Sequence, residues 1–189
     1  MFVVLDRDGT LIDHVHYLTK IEQIVVLPEA VRAVRLLNSA RIPTVVITNQ
    51  PVVAKGLISR ASLDVLHSHL SQMFKRLNAQ LGEFLVCPHQ ESDLCQCRKP
   101  KTQLLRQAAH KFGLQPSSAF VVGDSLRDLE LASNVGAQGL HVQTGVLKQP
   151  PPHYSTFANL FEAVKVILSA HAARNRHIPG SSSVGIPNE

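Results

Sequence analysis

Five short apolar runs, separated by stretches of helical periodicity, constrain this chain more than any other feature. The runs are Phe2–Leu5, Ile42–Ile47, Phe84–Val86, Ala119–Val122 and the weaker Leu140–Val142. Each is bounded by Gly, Pro or polar residues, and most of its positions are β-branched or apolar. A strand that is apolar on both faces is covered on both faces, which is how a central parallel strand reads. Between the runs, Pro28–Leu37 opens with proline in a first turn and repeats apolar residues at helical spacing. Ser59–Leu81 sets Leu63, Leu66, Leu70, Met73 and Leu77 along one face. Lys101–Phe112 and Ser125–Val135 each stop at a glycine, Gly113 and Gly136, a residue suited to close a helix. Phe157–Ala173 supplies a last helix. Alternating strands and helices predict a three-layer α/β fold with a mainly parallel central sheet. Such sheets bind ligands beyond the carboxyl ends of their strands.

At 189 residues the chain is expected to be one domain, spanning residues 1–174. Residues 175–189 hold Gly-Ser-Ser-Ser and two prolines without periodicity, and are expected to form a flexible tail. Pro150–Pro152 reads as a rigid connector before the last helix. No apolar run approaches the roughly 18 residues of a membrane span, and no basic-then-apolar leader opens the chain. A cytoplasmic protein without a membrane partner is therefore expected. The net charge of +5 suits an anionic partner. Aromatic residues make up only 5% of the chain and Trp is absent, which leaves little for stacking bases. A small anion is favoured over nucleic acid. With no exposed apolar stripe in evidence, a monomer is expected.

The residues suited to chemistry follow the apolar runs. Asp6 and Asp8, in Asp-Arg-Asp-Gly-Thr, come directly after the first. Two carboxylates this close need a cation or a shared proton, and Mg²⁺, with its preference for hard oxygen ligands, would serve. Aspartate can also act as a covalent nucleophile. Taken alone, the segment is equally a polar turn bent at Gly9. Thr48-Asn49-Gln50 follows the second run, and its hydroxyl and amides could hold phosphate oxygens or simply form a turn. Arg98 and Lys99, before Pro100, could grip an anion or lie solvated in a loop. Asp124 and Ser125 follow the fourth run, with Asp128 one helical turn on. Asp124 matches Asp6 and Asp8 in placement, so the three acids could make a Mg²⁺ site. Asp124 could instead cap the following helix, and Asp128 could cap or orient rather than ligate.

The three cysteines fall within a single short segment. Cys87-Pro-His89 is followed after five residues by Cys95-Gln-Cys97. An odd number of local thiols does not make a disulfide framework. Four sulfur and nitrogen ligands suit a closed tetrahedral Zn²⁺ site of structural role. The intervening Gln90, Glu91, Ser92 and Asp93 offer no apolar burial that would otherwise hold the cysteines. The loop, residues 87–97, runs straight into Arg98 and Lys99, so a metal there would position those cations.

In this order, D-x-D-G-T, T-N-Q, R-K-P and G-D-x-x-x-D resemble the four motifs of the haloacid dehalogenase superfamily. The C-P-H…C-x-C-R-K-P loop is similar to that of the branch holding the heptose-bisphosphate and histidinol-phosphate phosphatases. The match covers roughly Phe2 to Gly145. It implies a Rossmann-like fold without a large cap domain and a Mg²⁺-dependent phosphatase acting on a small phosphorylated sugar. Asp6 matches the nucleophile that becomes an aspartyl phosphate. Asp8 matches the acid that protonates the leaving alcohol and then activates water. To act first as an acid Asp8 must be protonated, so surroundings that favour its protonated form are expected. The Asp6 side chain, the Asp8 carbonyl and Asp124 match the Mg²⁺ ligands, and Thr48 and Lys99 the groups that bind phosphoryl oxygens. Cys87, His89, Cys95 and Cys97 match the zinc ligands. Arg98 matches a contact to the far end of the substrate, and His14, His16 and Tyr17 lie in a segment that lines the pocket.

Within the branch, Asn49-Gln50-Pro-Val-Val-Ala-Lys-Gly56 resembles the heptose enzymes, with Lys55 where they carry Arg. Its Asn-Gln-Pro form is similar to those that use the α-anomer on the way to nucleotide-activated heptose. Lys101-Thr-Gln103, after Pro100, looks more like the histidinol side, and Ser125 stands where some heptose enzymes have a substrate-touching lysine. Heptose bisphosphate is the favoured substrate and histidinol phosphate the alternative. A nucleic-acid-binding zinc module is disfavoured because the ligand spacing is not that of a C₂H₂ finger. A scaffold that has lost turnover is disfavoured by the intact Asp6, Asp8, Lys99 and Asp124.

Overall fold

The computed structural model describes residues 1–176. The tail expected from residue 175 lies, apart from its first two positions, outside the described residues. Six strands form one wholly parallel sheet in the order β3-β2-β1-β4-β5-β6. They are β1 (Phe2–Leu5), β2 (Thr44–Asn49), β3 (Glu83–Cys87), β4 (Ala119–Gly123), β5 (Gln138–Val142) and β6 (Ser155–Phe157). Five helices connect and cover them: α1 (Pro28–Ser39), α2 (Arg60–Arg76), α3 (Gln103–Lys111), α4 (Leu126–Ser133) and α5 (Leu160–Arg176).

The strands alternate even though both their faces are apolar. Val3 and Leu5 of β1 face one core with Val46, Phe120 and Val122, under α1, α2 and α5. Phe2 and Val4 face the other with Val45, Ile47 and Val121, under α3 and α4. This is the expected three-layer arrangement, and the buried strand faces explain why the sequence runs lack polar alternation. Among the described residues no second domain interrupts the sheet. None of the helices among them is long and apolar enough to cross a membrane.

Several boundaries differ from expectation, and local reasons account for those at β2, α2 and the last helix. Strand β2 begins at Thr44 rather than Ile42 and extends to Asn49, because Thr48 and Asn49 pair in register with Val86 and Cys87 of β3. The Thr48-Asn49 pair is thus the strand's last two residues and not a turn beyond it. Helix α2 stops at Arg76 rather than Leu81, because Asn78 adopts a left-handed φ of 54°. Strand β6 was not expected at all. It is a three-residue edge strand, Ser-Thr-Phe, with only Phe157 half-buried, and it carries no apolar run. The last helix consequently starts at Leu160, with the Asn159 side chain accepting from the Glu162 amide at 3.1 Å.

Candidate active site

The order of the sheet reverses direction between β1 and β4, and a cleft opens there at the carboxyl ends. Asp6 follows β1 immediately, its amide donating to the Val122 carbonyl of β4 at 3.0 Å. Asp124 follows β4, and β2 brings Thr48 and Asn49 alongside. The cleft is lined by Asp6, Asp8, His14, Thr48, Asn49, Lys99, Asp124, Ser125, Arg127 and Val146. The sequence-predicted Asp6, Asp8, Thr48, Lys99, Asp124, Asn49, Ser125 and His14 therefore converge.

Lys99 is the cation at its centre. Its Nζ lies 2.7 Å from Asp6 Oδ1 and 2.6 Å from Asp128 Oδ1, and the side chain is 4% exposed. Burial pulls the ammonium's proton affinity down, but Asp128 and Asp6 outweigh it and leave the pKa raised, so Lys99 stays charged. Asn49 fixes the segment that carries it. Its amide donates to the Lys99 carbonyl at 3.2 Å and accepts from the Lys99 amide at 3.0 Å.

The carboxylates outnumber the cation. Asp6, Asp124 and Asp128 can place one oxygen each within 4.8 Å of one another. Burial, opposed by Lys99 and reinforced by Asp128, Asp124 and Asp8, pushes the Asp6 carboxyl up to about 8. Burial also raises Asp124, against the Val146 amide that donates to its Oδ2 at 2.7 Å. Three buried acids beside one lysine leave uncompensated negative charge, and hard oxygen donors in that state suit a divalent ion of the Mg²⁺ type. Asp124 is also held by close backbone. A Cβ on Gly145 would stand 1.8 Å from its Oδ2 and one on Gly9, at φ +68°, 2.5 Å. Neither position tolerates a side chain while the acid is in place. Asp128 doubles as the cap of α4, accepting from the Ser125 amide at 3.2 Å and hydroxyl at 2.5 Å.

Asp8 is held from behind by Arg7. Its two oxygens accept a guanidinium fork from Arg7, with Nε at 3.2 Å and Nη2 at 3.0 and 2.9 Å. Gln50 Nε2 adds a contact at 2.9 Å to Asp8 Oδ2 and another at 2.7 Å to Thr48 Oγ1. Gln50 is buried behind the two side chains, away from the cleft lining. Because Thr48 accepts from Gln50, its own hydroxyl proton is left to donate.

The expected metal loop also assembles. Cys87 Sγ lies 3.6 Å from Cys95 Sγ and 3.8 Å from His89 Nδ1, and Cys97 Sγ lies 3.5 Å from Cys95 Sγ and 3.3 Å from His89 Nδ1. These separations are too long for a disulfide, at about 2.05 Å. They match the edges of a tetrahedron, about 3.8 Å for sulfurs about 2.3 Å from a common ion. Burial raises the Cys95 thiol, but hydrogen bonds from the Arg98 amide and the other two thiols more than offset this and bring it down to about 7.

Arg98 donates from Nη1 to the His89 carbonyl at 3.0 Å and lines a second cavity with Gln90, Leu94, Lys101 and Arg127. The two cavities share Lys99 and Arg127. His16 packs on Tyr17 with ring centroids 4.1 Å apart, and neither lines the cleft. Arg127 was missed, for nothing marks one exposed helical arginine. Asp128, one helical turn beyond Asp124, both caps α4 and reaches Lys99.

Residues 96–160 match the family described as HAD-hydrolase-like. A curated D-glycero-beta-D-manno-heptose-1,7-bisphosphate 7-phosphatase of Pseudomonas aeruginosa is 35% identical over 144 residues, 76% of this chain and 81% of that one. A D-glycero-alpha-D-manno-heptose-1,7-bisphosphate 7-phosphatase of Mycobacterium tuberculosis is 35% identical over 176 residues, 90% of this chain and 93% of that one. The crystal structure of the D,D-heptose 1,7-bisphosphate phosphatase of Bordetella bronchiseptica, complexed with magnesium and phosphate, superposes with a TM-score of 0.82 at 27% identity. It covers 90% of this chain and 99% of its own.

Proposed function

The chain belongs to the heptose-bisphosphate phosphatase family of haloacid dehalogenase-like hydrolases, and on that footing we propose that it removes the 7-phosphate from D-glycero-D-manno-heptose 1,7-bisphosphate. The observation that carries the reading is the meeting of Asp6, Lys99 and the Asp124–Asp128 pair in one cleft. A nucleophile, a fixed cation and spare carboxylates are what phosphoryl transfer requires, since its catalysis is mostly positioning and charge neutralisation.

Asp6 Oδ1 is engaged by Lys99 and, at 2.7 Å, by the Arg7 amide, so Oδ2 is the oxygen assigned to attack. The new oxygen–phosphorus bond forms as the bond from phosphorus to the substrate's 7-oxygen breaks. Asp8 gives that oxygen its proton. Water then attacks the aspartyl phosphate, Asp8 takes a proton from it, and Asp6 leaves as carboxylate. Thr48 and Lys99 hold the phosphoryl oxygens throughout. Asp6, the Asp8 carbonyl and Asp124 would hold Mg²⁺, with Asp128 beside them, and the ion would neutralise phosphoryl charge. Cys87, His89, Cys95 and Cys97 would hold one Zn²⁺ in a structural role, bracing Arg98 near the far end of the substrate.

The α-anomer is favoured. The Asn49-Gln50-Pro51 segment carries this preference, since relatives named for the two anomers reach similar identity, 35% over 76% of this chain for the β-named Pseudomonas aeruginosa enzyme and 35% over 90% for the α-named Mycobacterium tuberculosis enzyme. Phosphate release with Mg²⁺ should be compared on the α- and β-bisphosphates and on histidinol phosphate. A clear preference for the α-heptose is expected. A preference for histidinol phosphate would overturn the substrate assignment and leave the phosphatase chemistry standing.

A further inference from the structure

Two buried polar groups stand behind the cleft with no part in the chemistry described so far. Arg7 is 1% exposed, among the largest fully buried side chains of the described residues. Its fork closes on Asp8, and its remaining terminal nitrogen, Nη1, lies 3.0 Å from Nε2 of His67. His67 projects from α2 and is 5% exposed. Its ring stacks on Phe84 of β3, centroids 4.3 Å apart and planes 12° from parallel.

The direction of the contact follows from chemistry. A guanidinium only donates, so His67 Nε2 must accept, and the ring must be neutral. Burial, then Arg7 and Arg60, hold His67 down to about 3, in agreement. Strand β3 fixes the ring plane, the ring fixes Arg7, and Arg7 fixes both Asp8 oxygens. In sequence, His67 lies four residues after Leu63 within the apolar stripe of α2. An apolar side chain would fill that place if packing were its only duty.

We propose that Arg7 and His67 are positioning residues for Asp8, setting where its carboxyl meets the departing alcohol. A guanidinium fork matches a carboxylate, which is the form Asp8 takes once its proton has gone to that alcohol. The inference rests on the phosphatase reading above. It predicts a loss confined to esters whose leaving group needs a proton. An alkoxide leaving group needs one, whereas p-nitrophenolate departs unaided.

The test compares His67→Leu and His67→Gln in the full chain with Mg²⁺, both checked for folding by thermal melting. The readout is kcat/KM on the heptose bisphosphate and on p-nitrophenyl phosphate, because kcat/KM ends at release of the alcohol. His67→Leu should lose about tenfold on the sugar and under about twofold on the aryl ester, a fraction of the 10²–10⁴ typical of a whole acid–base group. His67→Gln, whose amide oxygen can accept from Arg7, should recover most of the loss. Equal losses on both esters, no loss on either, or no recovery by Gln would overturn the proposal. If His67→Leu does not fold, Phe84→Leu, which removes only the stacking face, should show the same split at smaller size, and an even loss there counts equally against it. If the wild type spares the heptose, the sugar assignment falls and the alkyl arm is run on histidinol phosphate. A wild type that releases phosphate from none of the three esters overturns both the phosphatase reading and this inference.

Discussion

The two ligand clusters of this chain are built in opposite ways. The carboxylate cluster hangs from the ends of β1 and β4, strands with neighbours on both sides, and its members Asp124 and Asp128 are 3% and 1% exposed. Its geometry is imposed by the sheet, and the acids are brought together despite their repulsion. The cysteine–histidine cluster grows from the end of edge strand β3 into a polar loop, with His89, Cys95 and Cys97 only half-buried. Cys87 is buried in the core and Cys95 and Cys97 pack at its margin, but the residues between them are polar and exposed. A scaffold-held site should lose function without losing structure when a ligand goes, and a ligand-held site should do the reverse.

The largest effect that would sharpen this contrast is at Asp6. Asp6→Asn should cut phosphate release by more than about 10³-fold, since the nucleophile is gone. Its melting temperature should hold or rise, because a carboxyl pushed up to about 8 by burial and its neighbours has been neutralised. Retained turnover would sink the mechanism. Lys99→Met tests the exception within the cleft. It strands Asp6 and Asp128 without their shared partner, so it should cost about 3–5 kcal/mol of stability as well as turnover. Denaturant unfolding would show it, and an unchanged midpoint would mean the acids are compensated by something else.

Cys95→Ser probes the other cluster. Bound zinc, expected near one equivalent in the wild type by metal analysis, should fall, and melting should drop by about 5–15 °C. Turnover of p-nitrophenyl phosphate by the folded variant should stay within about threefold. A wild type without zinc, or a variant that loses turnover and keeps its melting point, would break the comparison.

The smallest effect is a pH slope. The Asp6 carboxyl is raised from 3.8 in the unfolded chain to about 8 in the folded one, so the folded state holds the proton more tightly. The stability this contributes is fully present below about 4 and is lost as pH rises towards 8. Metal-free wild type should therefore lose melting temperature between pH 5 and 8 relative to Asp6→Asn. Mg²⁺ should restore more at pH 8 than at pH 5, where it competes with a proton. A difference between the two proteins that does not change with pH would remove the electrostatic account.

The legibility of the chain divides along the same line. The strand ends were readable because apolar runs stop abruptly at Asp6 and Asp124, and the metal loop because four ligands crowd into residues 87–97. Edge strand β6 was not, since of its three residues only Phe157 packs on the core, which is too little to leave a pattern. Nor was the Arg7–His67 contact, which joins residues on different elements through side chains whose types are ordinary where they stand. Gln50 read as a group facing substrate, yet it lies buried against Asp8 and Thr48, and a side chain's direction past the end of a strand has no periodic signature. Asn49 lines the cleft, but its amide is spent on the backbone of Lys99.

The pairing of β1 with β4 fixes when the cleft can exist. Phe2 lies opposite Ala119 and Leu5 opposite Val122, so β1 must wait until β2 and β3 have been made before its second neighbour arrives. Asp6 meets Asp124 only after that closure. Contacts between such distant segments carry the loop entropy that slows folding. During synthesis, then, the metal loop can gather its ligands as soon as residue 97 is available, while the cleft stays open until β4 docks. A nascent chain would bring the proposed zinc ligands together before it completes the cleft.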